Sequence, residues 1–184
     1  MLQRRRFLAA SALAAGGVRA QSTDFWARLR EGGHVVLMRH AQTEPGVGDP
    51  PDFRLGECAT QRNLSADGRE QARRIGEAFR REAIRLDEVR SSAWCRCVDT
   101  AQLAFGRHVV WAPINSFFGG TQARETQTRE VLAAVQSLRA PGNWMLVTHQ
   151  VNITALTGEY LAMGEVFVTR PEGGRLRLLA RQTF

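Results

Sequence analysis

The stretch Gly32-Gly33-His34-Val35-Val36-Leu37-Met38-Arg39-His40 decides the fold. Four apolar residues follow one another without alternation behind a pair of glycines. That is the pattern of a strand buried on both faces, as in a parallel sheet. The run ends abruptly in a cation and an imidazole. Trp144 to Thr148 repeats the pattern and ends in His149, and a third strand runs to Ser91-Ser92.

Working outward, helical spacing fills the gaps between strands. Residues 45–56 are rich in Pro, Gly and Asp and read as a surface loop. Ser65 is placed to cap a helix in which Ala72, Ile75 and Phe79 recur on one face. A helix is predicted over about 95–105, a strand over 109–112, and a mobile loop through Gly119-Gly120. A further helix is predicted near 126–138, stopped by Pro141-Gly142, and a short one over 151–156. Two last strands, about 165–169 and 176–180, flank the turn residues Pro171 to Gly174. This alternation predicts a three-layer α/β/α sandwich around a mostly parallel sheet. In such sheets anions bind beyond the carboxyl ends of the strands, where helix N-termini offer free N–H groups.

The bulk numbers set the outer limits. A chain of 184 residues, 43% hydrophobic and 23% charged, fits one soluble globular domain. Its net charge is +7, and every basic residue other than histidine is arginine. Residues 1–20 hold Arg4, Arg5, Arg6 and Arg19 and no acid, so +7 less these four leaves +3 for the rest. A modest surplus suits a small anionic substrate and does not call for a nucleic acid. Elsewhere arginines alternate with glutamates, as in Arg69, Glu70, Arg73, Arg74 and Glu77, the pattern of a solvated helix face.

Residues 1–20 read as an address. Arg4-Arg5-Arg6 precedes an apolar stretch from Phe7 to Ala15, then Val18-Arg19-Ala20 with small residues suited to cleavage after Ala20. The segment resembles a twin-arginine export signal, and its apolar stretch falls far short of the ~20 residues of a membrane span. The expectation is a cleavable signal over 1–20, a single domain over 21–184, a periplasmic or secreted location in a bacterium, and no stable membrane insertion afterwards. An oxidising compartment lets disulfides persist. Cys95 and Cys97 lie too close in sequence to pair comfortably, so Cys58 is expected to bridge one of them; three thiols without a C-x-x-C spacing make a poor zinc site.

The chemistry gathers where strands end. Arg39-His40 and Thr43 follow the first strand, Arg96 and Thr100 follow Ser91-Ser92, and His149 ends the strand from Trp144. Neutral imidazole is a competent nucleophile toward phosphorus. Guanidinium groups match phosphate oxygens and stay charged, so two arginines and a second histidine can neutralise an in-line transfer.

Four segments then resemble the histidine phosphatase superfamily, which includes the phosphoglycerate mutase-like enzymes. Arg39-His40-Ala41-Gln42-Thr43 resembles its R-H-G-x-T signature, with Ala41 in place of glycine. Leu64 to Ala72 is similar to its L-[ST]-x-x-G-x-x-Q-A segment, Ser92 to Ala101 to its S-x-x-x-R-x-x-x-T-A segment, and Val147-Thr148-His149 to the strand that delivers the second histidine. The resemblance implies a phosphoglycerate mutase-like fold and a metal-independent, cofactor-free phosphomonoester hydrolase. It implies His40 as nucleophile and Arg39, Arg96 and His149 as phosphate-binding groups. The acid-phosphatase branch places its acid directly after the second histidine, where this chain has Gln150. The mutase-like branch places it downstream of the second arginine, which points to Glu125, with Glu44 and Glu57 as reserves. The substrate is expected to be a small-molecule, sugar or lipid phosphate monoester; a small exported branch acting on lipopolysaccharide core sugar phosphates is the analogy. Phosphoglycerate mutase-like activity, protein phosphohistidine phosphatase activity and a catalytically poor anion-binding module are the alternatives.

The remaining polar and aromatic residues read as structural. Asn152 reads as satisfying a buried turn, His34 and His108 as strand-start residues, and the aromatic residues at 94, 105, 111 and 144 as core. Phe117 and Phe118 adjoin the expected substrate loop.

Overall fold

The structure is a computed structural model that describes residues 17–46, 48–117 and 121–184, with side chains from Asp24 onward. The export segment expected over 1–20 lies outside the described residues apart from its last four backbone positions. Phe118 and the Gly119-Gly120 loop lie outside them entirely.

The buried apolar runs pair as strands: β1 (Val35–Arg39), β2 (Leu86–Ser91), β3 (Val109–Val110), β4 (Asn143–Thr148), β5 (Val166–Glu172) and β6 (Arg175–Gln182). They form one six-stranded sheet in the order β3-β2-β4-β1-β5-β6. β1 pairs with β4, β4 with β2 and β2 with β3 in parallel; β5 and β6 add an antiparallel edge beside β1. The helices are α1 (Gly17–Glu31), α2 (Ala66–Arg81), α3 (Cys95–Phe105), α4 (Thr121–Ala134) and α5 (Gln150–Thr157).

Two cores sort them into layers. Val36 and Met38 of β1 and Met145 and Val147 of β4 face Phe25 and Leu29 of α1, Ile75 and Phe79 of α2, and Cys97 and Ala101 of α3. The alternate residues Val35, Leu37, Trp144 and Leu146 face Val131 of α4 and Ile153 and Leu156 of α5. Successive strand side chains point to opposite faces, so each run must be apolar throughout to serve both layers. The three-layer α/β/α architecture follows. No described helix is long and apolar enough to cross a membrane.

Several boundaries differ from the sequence reading. The third strand stops at Val110 because Pro113 lacks an N–H for the ladder, and Ala112–Ile114 forms a 3-10 turn instead. Helix α4 begins at Thr121, before the expected start near 126, and gives way to a 3-10 turn at Val135–Ser137. Helix α1 was not anticipated, although Phe25 and Leu29, one turn apart and both buried, are its signal.

The strand order explains how residues distant in sequence meet. β2, β4 and β1 are neighbours and run in one direction. Their carboxyl ends, Ser91-Ser92, Thr148-His149 and Arg39-His40, therefore share one edge of the sheet.

Candidate active site

His40 follows β1 and is 2% exposed; its amide donates to the Thr148 carbonyl at 3.0 Å, fixing it beside the end of β4. Its Nδ1 lies 2.9 Å from the Ala41 carbonyl. A carbonyl can only accept, so Nδ1 carries the proton and Nε2 keeps its lone pair. Burial drives the His40 pKa from 6.5 down to about 3, against the Ala41 hydrogen bond and with the charges of Arg96, Arg39 and Arg62. The ring is neutral and nucleophilic at ordinary pH.

His149 lies across from it, with ring centroids 5.6 Å apart. Its Nε2 is 2.8 Å from Ser92 Oγ. Ser92 can donate onward to Asn115 Oδ1, and the Trp94 ring packs edge-on against the imidazole at 5.3 Å. Burial first, then His40 and the guanidinium groups of Arg96, Arg39 and Arg62, hold its pKa well below 6.5. Cys97 Sγ also approaches Nε2 at 3.5 Å, but burial pushes this thiol up to about 12 and it stays protonated.

The two arginines are held by their terminal nitrogens. Arg39 Nη1 donates to Tyr160 Oη at 3.1 Å and to the Leu161 carbonyl at 3.0 Å. Arg96, 4% exposed, places Nη1 and Nη2 on Asp49 Oδ1 and Oδ2 at 2.8 and 3.0 Å. The Nε of both arginines is buried and has no hydrogen-bond partner among the described residues. A buried N–H without an acceptor costs roughly 1–3 kcal/mol, so two such groups in one cluster fit an anion.

Arg62 and Asp49 are members that sequence reasoning missed. Arg62 precedes Asn63-Leu64; its carbonyl accepts from Arg96 Nη1 at 3.4 Å, its amide donates to Asp49 at 3.0 Å, and its charge reaches both histidines. Its position two residues before the Leu64-Ser65 segment was the available signal. Burial works to raise the Asp49 pKa, but hydrogen bonds from Arg96 and the Arg62 amide, with both guanidinium charges, outweigh it. Asp49 lies in the loop that composition marked as mere surface.

The signature residues around the histidines do structural work. Ser65 Oγ caps α2 by accepting from the Gly68 amide at 3.0 Å. A Cβ on Gly68 would lie 1.8 Å from the Gln42 carbonyl oxygen, so only glycine lets α2 approach the loop after His40. Gln71 accepts from the Gln42 amide and donates to the Met163 carbonyl. Thr100 Oγ1 accepts from the Ala41 amide and donates to the Arg96 carbonyl, joining the segment after His40 to the first turn of α3. Ala41 is fully buried, and among the described non-glycine residues only Ala83 has a left-handed backbone, so alanine serves at 41. Thr43 gives its hydroxyl to Met163 Sδ.

Arg39, His40, Arg96 and His149 are thus brought together. The acidic candidates are not. Glu125 is exposed on α4 and lines a groove with Arg124, Thr128, Arg129 and Ala155 that shares no residue with the histidine cluster. Two residues on, Gln127 donates to the carbonyl of Asn115, the residue behind Ser92. Glu44 is exposed, and Glu57 pairs with Arg54 on the surface at 3.0 Å. Gln150 turns away, accepting from the Leu161 amide and donating to the Glu159 carbonyl. Asn152 donates to the Asn115 carbonyl, the turn-satisfying role read from sequence. The bridge is Cys58–Cys95, leaving Cys97 free and buried.

Residues 35–116 match the model of the Histidine phosphatase superfamily (branch 1). No curated protein matches the sequence. Among solved structures, the protein histidine phosphatase SixA complexed with tungstate superposes with a TM-score of 0.58 at 12% identity, over 82% of this chain and 96% of that one. A candidate alpha-ribazole-5'-P phosphatase from Escherichia coli str. K-12 substr. MG1655 gives 0.60 at 18% identity, over 80% and 95%. TTHB049 from Thermus thermophilus gives 0.56 at 20% identity, over 82% and 99%. At these identities the likeness is one of fold.

Proposed function

We propose that this chain is a member of the histidine phosphatase superfamily, whose model matches residues 35–116, and that it hydrolyses phosphate monoesters through a phosphohistidine on His40. One observation carries the reading: a neutral, buried imidazole with Nε2 unprotonated, facing a second histidine and arginines whose Nε groups lack acceptors among the described residues.

In the proposed reaction Nε2 of His40 attacks phosphorus while the P–O ester bond breaks in line. Arg39, Arg62 and Arg96 meet the charge on the phosphoryl oxygens. The dianion beside His149 favours its protonated form, which donates from Nδ1 to the phosphate while Nε2 stays on Ser92. The leaving alkoxide takes its proton from water, because Glu125, the acid that the resemblance assigns, lies in a separate groove on α4. A second water then attacks phosphorus, passing a proton to solvent as the N–P bond breaks and inorganic phosphate leaves. Arginines supply the positive charge that a metal supplies in other phosphatases, so the scheme needs no metal.

The test is steady-state hydrolysis of p-nitrophenyl phosphate with excess chelator present. Wild-type protein should turn over, and His40→Ala should lose about 10³-fold or more in kcat. A His40→Ala variant at wild-type rates would end the proposal. A second substrate class, taken only from the name of a fold neighbour, is phosphohistidine on a protein. A panel of sugar phosphates, phospholipid head groups and a phosphohistidine protein separates the two by kcat/KM.

A further inference from the structure

The loop between β1 and α2 does more than close the distance between them. Four contacts bind it to the start of α3. Asp49 takes both terminal nitrogens of Arg96, and Gln61 Oε1 accepts from the Cys95 amide at 2.9 Å. Cys58 is bonded to Cys95, and the Phe53 ring lies 5.7 Å from Trp94. All of these contacts flank Arg96, which sits in the first turn of α3.

The edge of the guanidinium that Asp49 uses is decisive. A guanidinium has an end-on edge, Nη1 with Nη2, and a side-on edge, Nε with one Nη. Asp49 fills the end-on edge with a fork 8% exposed on the carboxylate side and 5% on the arginine side, and the Nε remains buried without a partner among the described residues. Arg39 repeats the arrangement with different chemistry, its Nη1 fixed by Tyr160 and Leu161 and its Nε again without a partner. An aspartate that merely occupied the place of substrate would leave no second edge aimed inward. A proton donor would have to be neutral, whereas this carboxylate is held charged between two guanidinium groups.

We propose that Asp49, carried on a loop pinned to α3 by the Cys58–Cys95 bridge, is a positioning residue that locks Arg96 end-on so that its Nε edge faces the phosphoryl group. The proposal rests on Arg96 as a phosphate-binding group in the phosphatase reading. Asp49 stays in place through the reaction and touches no reacting atom. Its negative charge also offsets one of three clustered guanidinium groups, which stabilises the site before an anion arrives.

Kinetics of Asp49→Asn, with folding checked by circular dichroism, test this. Asparagine keeps the size but loses the two-oxygen fork. The expected result is a fall in kcat/KM of about 10- to 100-fold, by the same factor for p-nitrophenyl phosphate and an alkyl phosphate, with weaker inhibition by inorganic phosphate. In an Arg96→Gln background the same change should add no further loss, because Asp49 acts through Arg96. Tighter phosphate binding would make Asp49 a competitor, and a loss confined to the alkyl ester would make it a proton donor; either overturns the proposal, as do wild-type kinetics. A measurement on wild-type protein stands beside the variants: adding inorganic phosphate should shift the Arg96 Nε–H resonance and leave the Nη resonances on Asp49. Displacement of the Nη signals overturns it. Wild-type protein without turnover would instead sink the phosphatase reading, so the two failures are distinct.

Discussion

At the scale of single residues, the site is defined by what burial does to two imidazoles whose centroids lie 5.6 Å apart. His40 is kept neutral by desolvation, with a pKa of about 3 in place of 6.5. Two consequences follow. The unprotonated form, proposed as the nucleophile, persists far into acid, so the limb of kcat/KM due to His40 protonation should lie well below pH 6.5. For stability, the folded pKa lies below the unfolded one, so the unfolded chain takes up a proton that the folded chain refuses. Stability tied to His40 is therefore intact above about 6.5 and lost as pH falls toward 3. His40→Asn should show a shallower fall of Tm between those values than wild type; parallel falls would contradict this account. Four of the five proposed site residues were legible because strand ends advertise them, and these four meet in space. Glu125 does not join them, since a motif spacing locates a residue along a helix but not on a face. Arg62 and Asp49 were not recognised, because an arginine and an aspartate among polar loop residues carry no periodic signal; only the fold sets them beside Arg96. Glu125→Gln should therefore leave an alkyl phosphate and p-nitrophenyl phosphate hydrolysed at wild-type rates. A loss of about 10²-fold or more confined to the alkyl phosphate would make Glu125 the proton donor.

At the scale of elements, signature residues that look catalytic prove to be packing devices. Gly68 exists for the approach of α2 to Gln42, two residues past His40, and Gln71 ties that loop to Met163. Gly68→Ala must push a Cβ into a backbone carbonyl, which has no rotamer to yield. It should destabilise the protein by about 1–3 kcal/mol and lower kcat/KM by moving Gln42 and His40. A Tm equal to wild type would mean the contact is slack. Strands β1 and β4 were read correctly because a two-sided burial requirement leaves an uninterrupted apolar run. Strand β3 was over-read because the apolar character of 109–112 outlasts the ladder, which Pro113 ends. Helix α1 was missed because its first residues also read as the tail of an export signal.

At the scale of the whole molecule, three parallel strands bring their ends to one edge, and a disulfide staples the loop between β1 and α2 to α3. The bridge spans 37 residues, and its removal in Cys58→Ser should cost about 3–4 kcal/mol by loop-entropy reasoning, read as a lower urea midpoint. We propose that the bridge forms because the chain is exported: cleavage after Ala20 leaves the buried Phe25 and Leu29 of α1 in the mature chain. Mass analysis of periplasmic protein should then find Gln21 first and two cysteines oxidised, and an uncut chain would contradict export. The convergence itself is tested most directly by trapping the intermediate. Wild-type protein mixed briefly with a phosphate monoester, quenched in base and digested, should carry one acid-labile phosphoryl group on the peptide containing His40, and His40→Ala should carry none. A phosphoryl group on another residue, or turnover with no labelled histidine at any quench time, would contradict the account.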